Sequence, residues 1–340
     1  MRAGHVVVGR SRLGTIATAL LVASCGIDQG GGPRAPQVPT TETVLVSGPI
    51  DAFGSVHVNG LALDTSRTWI RIDGRTAAQA DLELGQMIRA VAVVDDASAS
   101  AVSIDYEDNV VGPVAAVDTA AGELTVLGQR VRVAATTRFD GLVGLGDLKV
   151  DDPVAVSGIP LPGNAVLATY VARAAGGEPF EVASTITSAD TAALRFELGA
   201  LTVDYSRAAL IEAPGGAPAA NLVVEVTGTL DNGVLVAERV RSLPLLPGAF
   251  TAAGTALTNT ELGGAVTASI PQPSAVNFAD VITARTAADA LYFGDLLVRL
   301  TPATIVVGGT LDDLVAGAPV LVEGRIQAVG RIDATRIAIR

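Results

Sequence analysis

The sequence predicts an all-β protein made of tandem copies of one small module. Three observations lead there. Apolar and polar residues alternate in short runs, as in strands with one buried face. Stretches with helical periodicity are nearly absent. One order of strands and glycine turns recurs at about seventy residues, the kind of self-similarity that marks a repeat architecture.

Each copy opens on two short strands around a central glycine: Val56 to Leu63 around Gly60, Leu124 to Val131 around Gly128, Leu194 to Leu201 around Gly199, and Leu291 to Val298 around Gly294. Each closes on an alternating strand that ends in glycine, as in Val154-Ala155-Val156-Ser157-Gly158, Val224-Glu225-Val226-Thr227-Gly228 and Leu321-Val322-Glu323-Gly324. A strand of the form Ala-x-x-aliphatic follows, at Ala168 to Val171, Ala237 to Val240 and Ala334 to Ile337, with a fainter first copy at Met87 to Val94 and Ala101 to Ile104. Central glycines lie 68, 71 and 95 residues apart and closing alanines 67, 69 and 97, so the fourth copy carries an insertion. Asn59-Gly60 and Asp231-Asn232-Gly233 supply the positive φ angles of tight hairpins. Thr76 to Leu84 and Gly308 to Val315 have room for one or two helical turns.

Five or six short strands on about seventy residues leave exposed edges, and curling into a closed or nearly closed barrel removes them. The expected architecture is therefore about four tandem OB-like barrels of five or six strands. A sandwich would need about a hundred residues per copy, and propeller blades repeat at about forty to fifty. The expected barrels are 44–108, 109–176, 177–246 and 277–340, with an insertion or linker at 247–276 punctuated by Gly263-Gly264, Pro271 and Pro273.

Ahead of the barrels, residues 1–24 have the features of a secretory leader: Arg2, Arg10 and Arg12 without any acid, then an apolar run from Leu13 to Ala23 too short for a permanent span. The run ends in Val22-Ala23-Ser24-Cys25, which resembles the lipobox of bacterial lipoproteins. That resemblance implies a diacylglycerol on Cys25 and attachment to a membrane through it. Gly26 stands where an aspartate would resemble an inner-membrane retention signal, which points to the outer membrane of the cell envelope. Residues 25–43, rich in glycine and proline without apolar periodicity, are expected to form a flexible tether.

Composition narrows the chemistry. Cys25 is the only cysteine, so no disulfide staples the modules. Hydrophobic residues are 49% of the chain and aromatics 4%, so the core must be Val, Leu, Ile and Ala. Without the leader, 20 basic residues face 35 acidic ones, a surface that repels nucleic acid. Lys149 is the only lysine, which argues against a polybasic lipid patch.

Catalytic and metal sites are mostly excluded by counting. Only His57 remains beyond the leader, between Val56 and Val58 on a strand, so neither a histidine-rich zinc site nor a histidine-based triad is expected. No metal or other cofactor is expected. The acidic pairs Asp95-Asp96, Glu107-Asp108, Asp151-Asp152 and Asp312-Asp313 suit hairpin ends better than an acid and its base. Gly141-x-x-Gly144-x-Gly146 is not followed by a helix start, so it fails as a phosphate cradle. Flat rings for ligand stacking are few; Trp69 and Tyr170 are the candidate ligand surface.

The units resemble the domain of unknown function family 5666, found in tandem in exported bacterial proteins and lipoproteins. The likeness lies in the central-glycine hairpin, in Thr137-Arg138-Phe139-Asp140-Gly141 after it, in Gly146-Asp147 ahead of Val156-Ser157-Gly158, and in Ala168-Thr169-Tyr170-Val171. The first unit lacks the closing glycine, and the third has Ala208-Ala209-Leu210 in place of Thr-Arg-Phe. The family brings no activity and no catalytic residues. The expected function is a non-enzymatic envelope lipoprotein whose modules present a surface to a protein or an oligosaccharide. The alternatives are a hydrolase using an acidic pair such as Asp151 and Asp152, and a passive spacer.

Overall fold

The computed structural model describes residues 41–177, 179–211, 216–243, 273–328 and 330–340. The leader, Cys25, nearly all of the tether and most of the 247–276 insertion lie outside the described residues. The first unit holds β1 (Glu42–Ala52), β2 (Val56–Val58), β3 (Leu61–Asp64), β4 (Trp69–Ile72), β5 (Arg75–Ala77), β6 (Met87–Val94) and β7 (Ala99–Tyr106). The second holds β8 (Val110–Asp118), β9 (Glu123–Val126), β10 (Gln129–Asp140), β11 (Pro153–Leu161) and β12 (Ala165–Arg173). The third holds β13 (Phe180–Thr185), β14 (Ser188–Asp190), β15 (Arg195–Leu198), β16 (Leu201–Asp204), β17 (Ala209–Ile211), β18 (Val223–Asp231) and β19 (Val234–Ser242). The fourth holds β20 (Ala275–Val281), β21 (Ala284–Ala287), β22 (Ala290–Phe293), β23 (Leu296–Val307), β24 (Pro319–Ala328) and β25 (Arg331–Ile339).

All four units route their strands alike. In the second, β8 pairs with β9, β9 with β10, β10 in parallel with β12, and β12 with β11, which returns to β8. The discrete OB-like barrels expected from the sequence are not what forms. The repeated region is a β-solenoid, in which each unit is one coil of strands and ladders run from coil to coil. A 13-stranded sheet joins the first and fourth units through the parallel pair β1 and β20, and a 12-stranded sheet joins the second and third through β8 and β13. The cause is an edge. One side of β1 is covered by β6 within its own unit, and its other side would leave amides and carbonyls unpaired. The first strand of another unit takes that side. Such pairing is made by the main chain and leaves no trace in side-chain periodicity.

The cores follow the sheets. One aliphatic core spans the second and third units, from Val110 and Leu124 to Val226 and Leu235. The core of the fourth unit takes in Leu45 and Val91 of the first. Aromatic residues contribute two ring pairs, Phe196 with Tyr205 at 5.6 Å and Phe278 with Phe293 at 5.3 Å between centroids. Single 3₁₀ turns at Gln79–Asp81, Leu145–Asp147 and Leu311–Asp313 precede a buried leucine, Leu82, Leu148 or Leu314, that plugs the end of its unit's core.

Two repeated sequence features acquire a physical role. The threonine of Thr-Arg-Phe is a clasp: Thr137 donates its hydroxyl to the Ala168 carbonyl at 2.6 Å, Thr304 to Ala334 at 2.6 Å, and Thr68 to Ala101 at 2.8 Å. Ala208 in the third unit has no hydroxyl to donate. The closing glycines sit where the strand register slips, at Ser157/Gly158, Thr227/Gly228 and Glu323/Gly324. At Gly158 and Gly228 a Cβ would press on the carbonyl oxygens of Leu167 and Val236 in the facing strand. The same slip in the first unit falls at Val91/Ala92, so there the bulge accommodates a methyl group.

A seam ties the first unit to the fourth across the 13-stranded sheet. Buried Asn59, in the β2–β3 turn, donates to the Ser47 carbonyl at 2.8 Å and accepts from Arg340 at 2.9 Å. Gly48 makes room for it, as Gly112 does for Leu127 at the equivalent turn of the second unit. Gly228→Ala is expected to lower stability by about 1–3 kcal/mol through overpacking, whereas Ala92→Gly costs about 1 kcal/mol or less. Urea midpoints of the two variants measure the difference.

Candidate functional site

The first three units meet at residues 107–109, the segment between β7 and β8. Asn109 pins that segment: its amide donates to the Val156 carbonyl at 2.8 Å, its own carbonyl accepts from Ala183 at 2.7 Å, and its side-chain oxygen accepts from the Gly158 amide at 2.7 Å. Adjacent residues in an extended chain point opposite ways. Glu107 therefore faces a cleft between the first and third units, while Asp108 turns inward, where the Tyr106 hydroxyl donates to it at 2.5 Å.

The cleft has a volume of about 190 Å³. Arg71, Asp73 and Gly74 line it from the first unit, Glu107 from the connecting segment, and Glu181, Glu225, Arg239 and Arg241 from the third. Strand register explains the arrangement. Glu225 and Arg241 are direct partners across β18 and β19, and Glu181 aligns with Thr227 and Arg239 across β13, β18 and β19. Arg89 and Arg71 each align with Asp105 from either side of β7. Opposite charges at facing positions attract.

The result is a chain of alternating charge. Arg89 pairs with Glu107, Glu107 with Arg241 at 2.5 Å, Arg241 with Glu225, and Glu225 with Arg239 at 3.9 Å. Arg71 pairs with Asp105 at 2.5 Å and lies 4.2 Å over the Trp69 ring, a cation–π contact. The carboxyl groups of Asp73 and Glu181 line the same cleft with no side-chain hydrogen-bond or ion-pair partner among the described residues.

These surroundings set the ionisation of each group. Burial works against the charge on Glu107, but Arg89 and Arg241 outweigh it and hold its carboxyl below the ordinary value. Burial also opposes the charge on Arg241, yet Glu225 and Glu107 raise its hold on the proton. Glu181 is pushed up to about 8, first by burial and then by Glu225, Asp73, Asp108 and Glu107. Asp73 is raised by burial and by Glu107. Burial lifts Asp108 to about 7 against the pull of the Tyr106 hydroxyl.

With that geometry in view, the family can be stated. Domain of unknown function (DUF5666) matches residues 111–172, 184–241 and 281–338, just over half of the chain. The chain belongs to the DUF5666 family. It carries three matched copies in tandem, and the first unit, to which the resemblance was extended, lies outside the match. No curated protein and no solved structure matches it. The cleft thus joins an unmatched unit to the second DUF5666 copy.

Other candidate residues are dispersed over the DUF5666 array. Trp69 is half-buried with Arg71 over one face of its ring. Tyr170 is buried, and its hydroxyl donates to Asp140 at 3.1 Å, so it offers no open face. His57 stands half-buried on β2, opposite Val56 and Val58. Three of the four acidic pairs serve turns. Asp95 accepts from the amides of Ala97 and Ser98, Asp313 from Thr310, and Asp152 from Lys149 at 3.0 Å. Asp152 also pairs with Arg173, and Asp151 occupies a positive-φ turn position. No group of three or more His, Cys, Asp or Glu able to hold a metal occurs among the described residues. The fourth pair, Glu107-Asp108, is the one that reaches the junction. Glu181, Arg239 and Arg241 came with no motif; their only signal is charge at positions facing one another across a hairpin.

Arg241→Ala strands Glu107 and Glu225 together and is expected to cost about 2–3 kcal/mol, while Arg299→Ala, at an exposed pair with Asp289, leaves the urea midpoint unchanged. Asp108 ordinarily ionises near 3.8 and in the folded chain near 7, so the folded state holds the extra proton. Stability therefore falls as pH rises from about 4 to about 7. Asp108→Asn should flatten that slope in urea titrations across the interval.

Proposed function

We propose that this DUF5666 chain is a non-enzymatic scaffold whose joined repeats present a binding surface to a protein or an oligosaccharide of the cell envelope. The plain finding is coarser: a largely β repeat protein of a family without an assigned activity. One observation carries the finer reading. Ladders join the first unit to the fourth and the second to the third, so the loops within each pair are held in fixed relation, and contacts too weak alone can add along such a frame.

The proposal includes attachment to a membrane through a lipid on Cys25, with the outer membrane as the destination. Its support is the sequence of residues 1–26. No helix among the described residues is long and apolar enough to cross a membrane. A lipid on the thiol would hold the array at a surface.

Glycan arrays and pull-downs from envelope extract test the binding role. Retention of a defined glycan or protein by the folded array is the expected result; a folded array that retains nothing in either format retires it. Mass spectrometry of the protein taken from cells tests the anchor separately, since an unmodified Cys25 would remove it.

A further inference from the structure

We propose that the contact between the first and third units is a proton-closed joint: with Glu181 protonated the arginine chain holds the units together, and loss of that proton opens the cleft between them.

Glu181 belongs to β13 of the third unit, and Asp73 follows β4 of the first. Glu107 stands between them on the connecting segment. Every element around Glu181 can be counted. The β4 turn supplies Arg71 and Asp73, the connecting segment Glu107 and Asp108, β18 Glu225, and β19 Arg239 and Arg241. The facing residue of β8 is Val111, which carries no charge.

The cations are already committed. Arg71 is held by Asp105, Arg241 by Glu107 and Glu225 together, and Arg89 by Glu107. Arg239 is loosely placed, at 3.9 Å from Glu225, and it lies one strand away from Glu181 across Thr227, while Arg75 acts on Asp73. A charge on Glu181 would therefore face Asp73 and Glu107 of the opposite wall, with Arg239 the one loosely held cation on its own side. Like charges across a cleft are relieved by widening it, and water then enters.

No strand ladder resists that movement. The third unit is held to the second by β8 and β13, and the first to the fourth by β1 and β20. Between the first and third, the Glu107–Arg241 ion pair crosses the cleft among the described residues. Burial and the surrounding acids keep the Glu181 proton up to about 8, against 4.5 for the group in water. With the sign worked through, the closed joint binds the extra proton, so opening becomes easier as pH rises from about 4.5 and levels off above about 8.

Hydrogen exchange of the full chain at pH 6 and pH 9, corrected for the pH dependence of chemical exchange, reads the joint directly. Protection of peptides covering 69–77 and 180–185 should fall about tenfold at the higher pH, the discount from the full shift reflecting partial exposure of Glu181. Peptides covering 331–339 should keep theirs. In Glu181→Gln, which imitates the protonated acid, the fall should disappear. Asp73→Asn, at the cleft rim, should reduce it and decides the matter if Glu181→Gln does not fold. Wild-type protection that is the same at both pH values overturns the proposal, and so does a fall that persists in Glu181→Gln or, in its absence, is undiminished in Asp73→Asn.

Discussion

The structure depends on how the second edge of each unit's first strand is satisfied. A unit of this size buries too little to stand alone comfortably, and an unpaired strand edge is both a lost set of hydrogen bonds and an invitation to aggregate. Here β1 and β20 cover one another, as do β8 and β13. The cores then merge along the same lines, which is why Leu45 and Val91 of the first unit pack with the fourth, and why the second and third share one apolar interior. Without cysteines beyond residue 25, this sharing of edges and cores does what cross-links do in disulfide-rich small domains.

Where paired units meet other paired units, the contact is of another kind. The junction of the first three units is built from carboxylates and guanidinium groups, with the connecting residues Glu107, Asp108 and Asn109 each tied to a different partner. Buried charge is an inefficient source of stability, since desolvation consumes much of the attraction. What it does supply is orientation: Arg241 is satisfied by Glu107 and Glu225 at once in only one relative placement of the units. Apolar seams within a pair and a charged joint between pairs give the molecule two grades of contact.

Much of the local structure was legible in the chain because it is written in side chains. Alternation gives strands, Asn59-Gly60 gives a hairpin with φ of 54° and 83°, and Thr76 to Leu84 and Gly308 to Val315 hold the short turns for which they had room. The recurrent Thr and Ala were visible as pattern, though their meaning, a hydroxyl donated to a strand carbonyl, needed coordinates. What stayed hidden is what the main chain does between units. Val44 meeting Ala275 in a parallel ladder involves no particular side chain at either position, so discrete barrels looked sufficient. The junction was half visible. Glu107-Asp108 stood out as a pair, but its partners Arg89, Glu225 and Arg241 reach it only after three units fold. Trp69 owes its place to Arg71, two residues on, a relation that strand periodicity would have allowed one to draw.

The β1–β20 pair also orders events in time. Its partners, Val44 to Ser47 and Ala275 to Phe278, lie far apart along the chain, so a ribosome has released β1 long before β20 exists. Until then the earliest unit carries an open flank, and closing it requires one of the most distant encounters available to the polypeptide, the sort that slows folding and exposes intermediates.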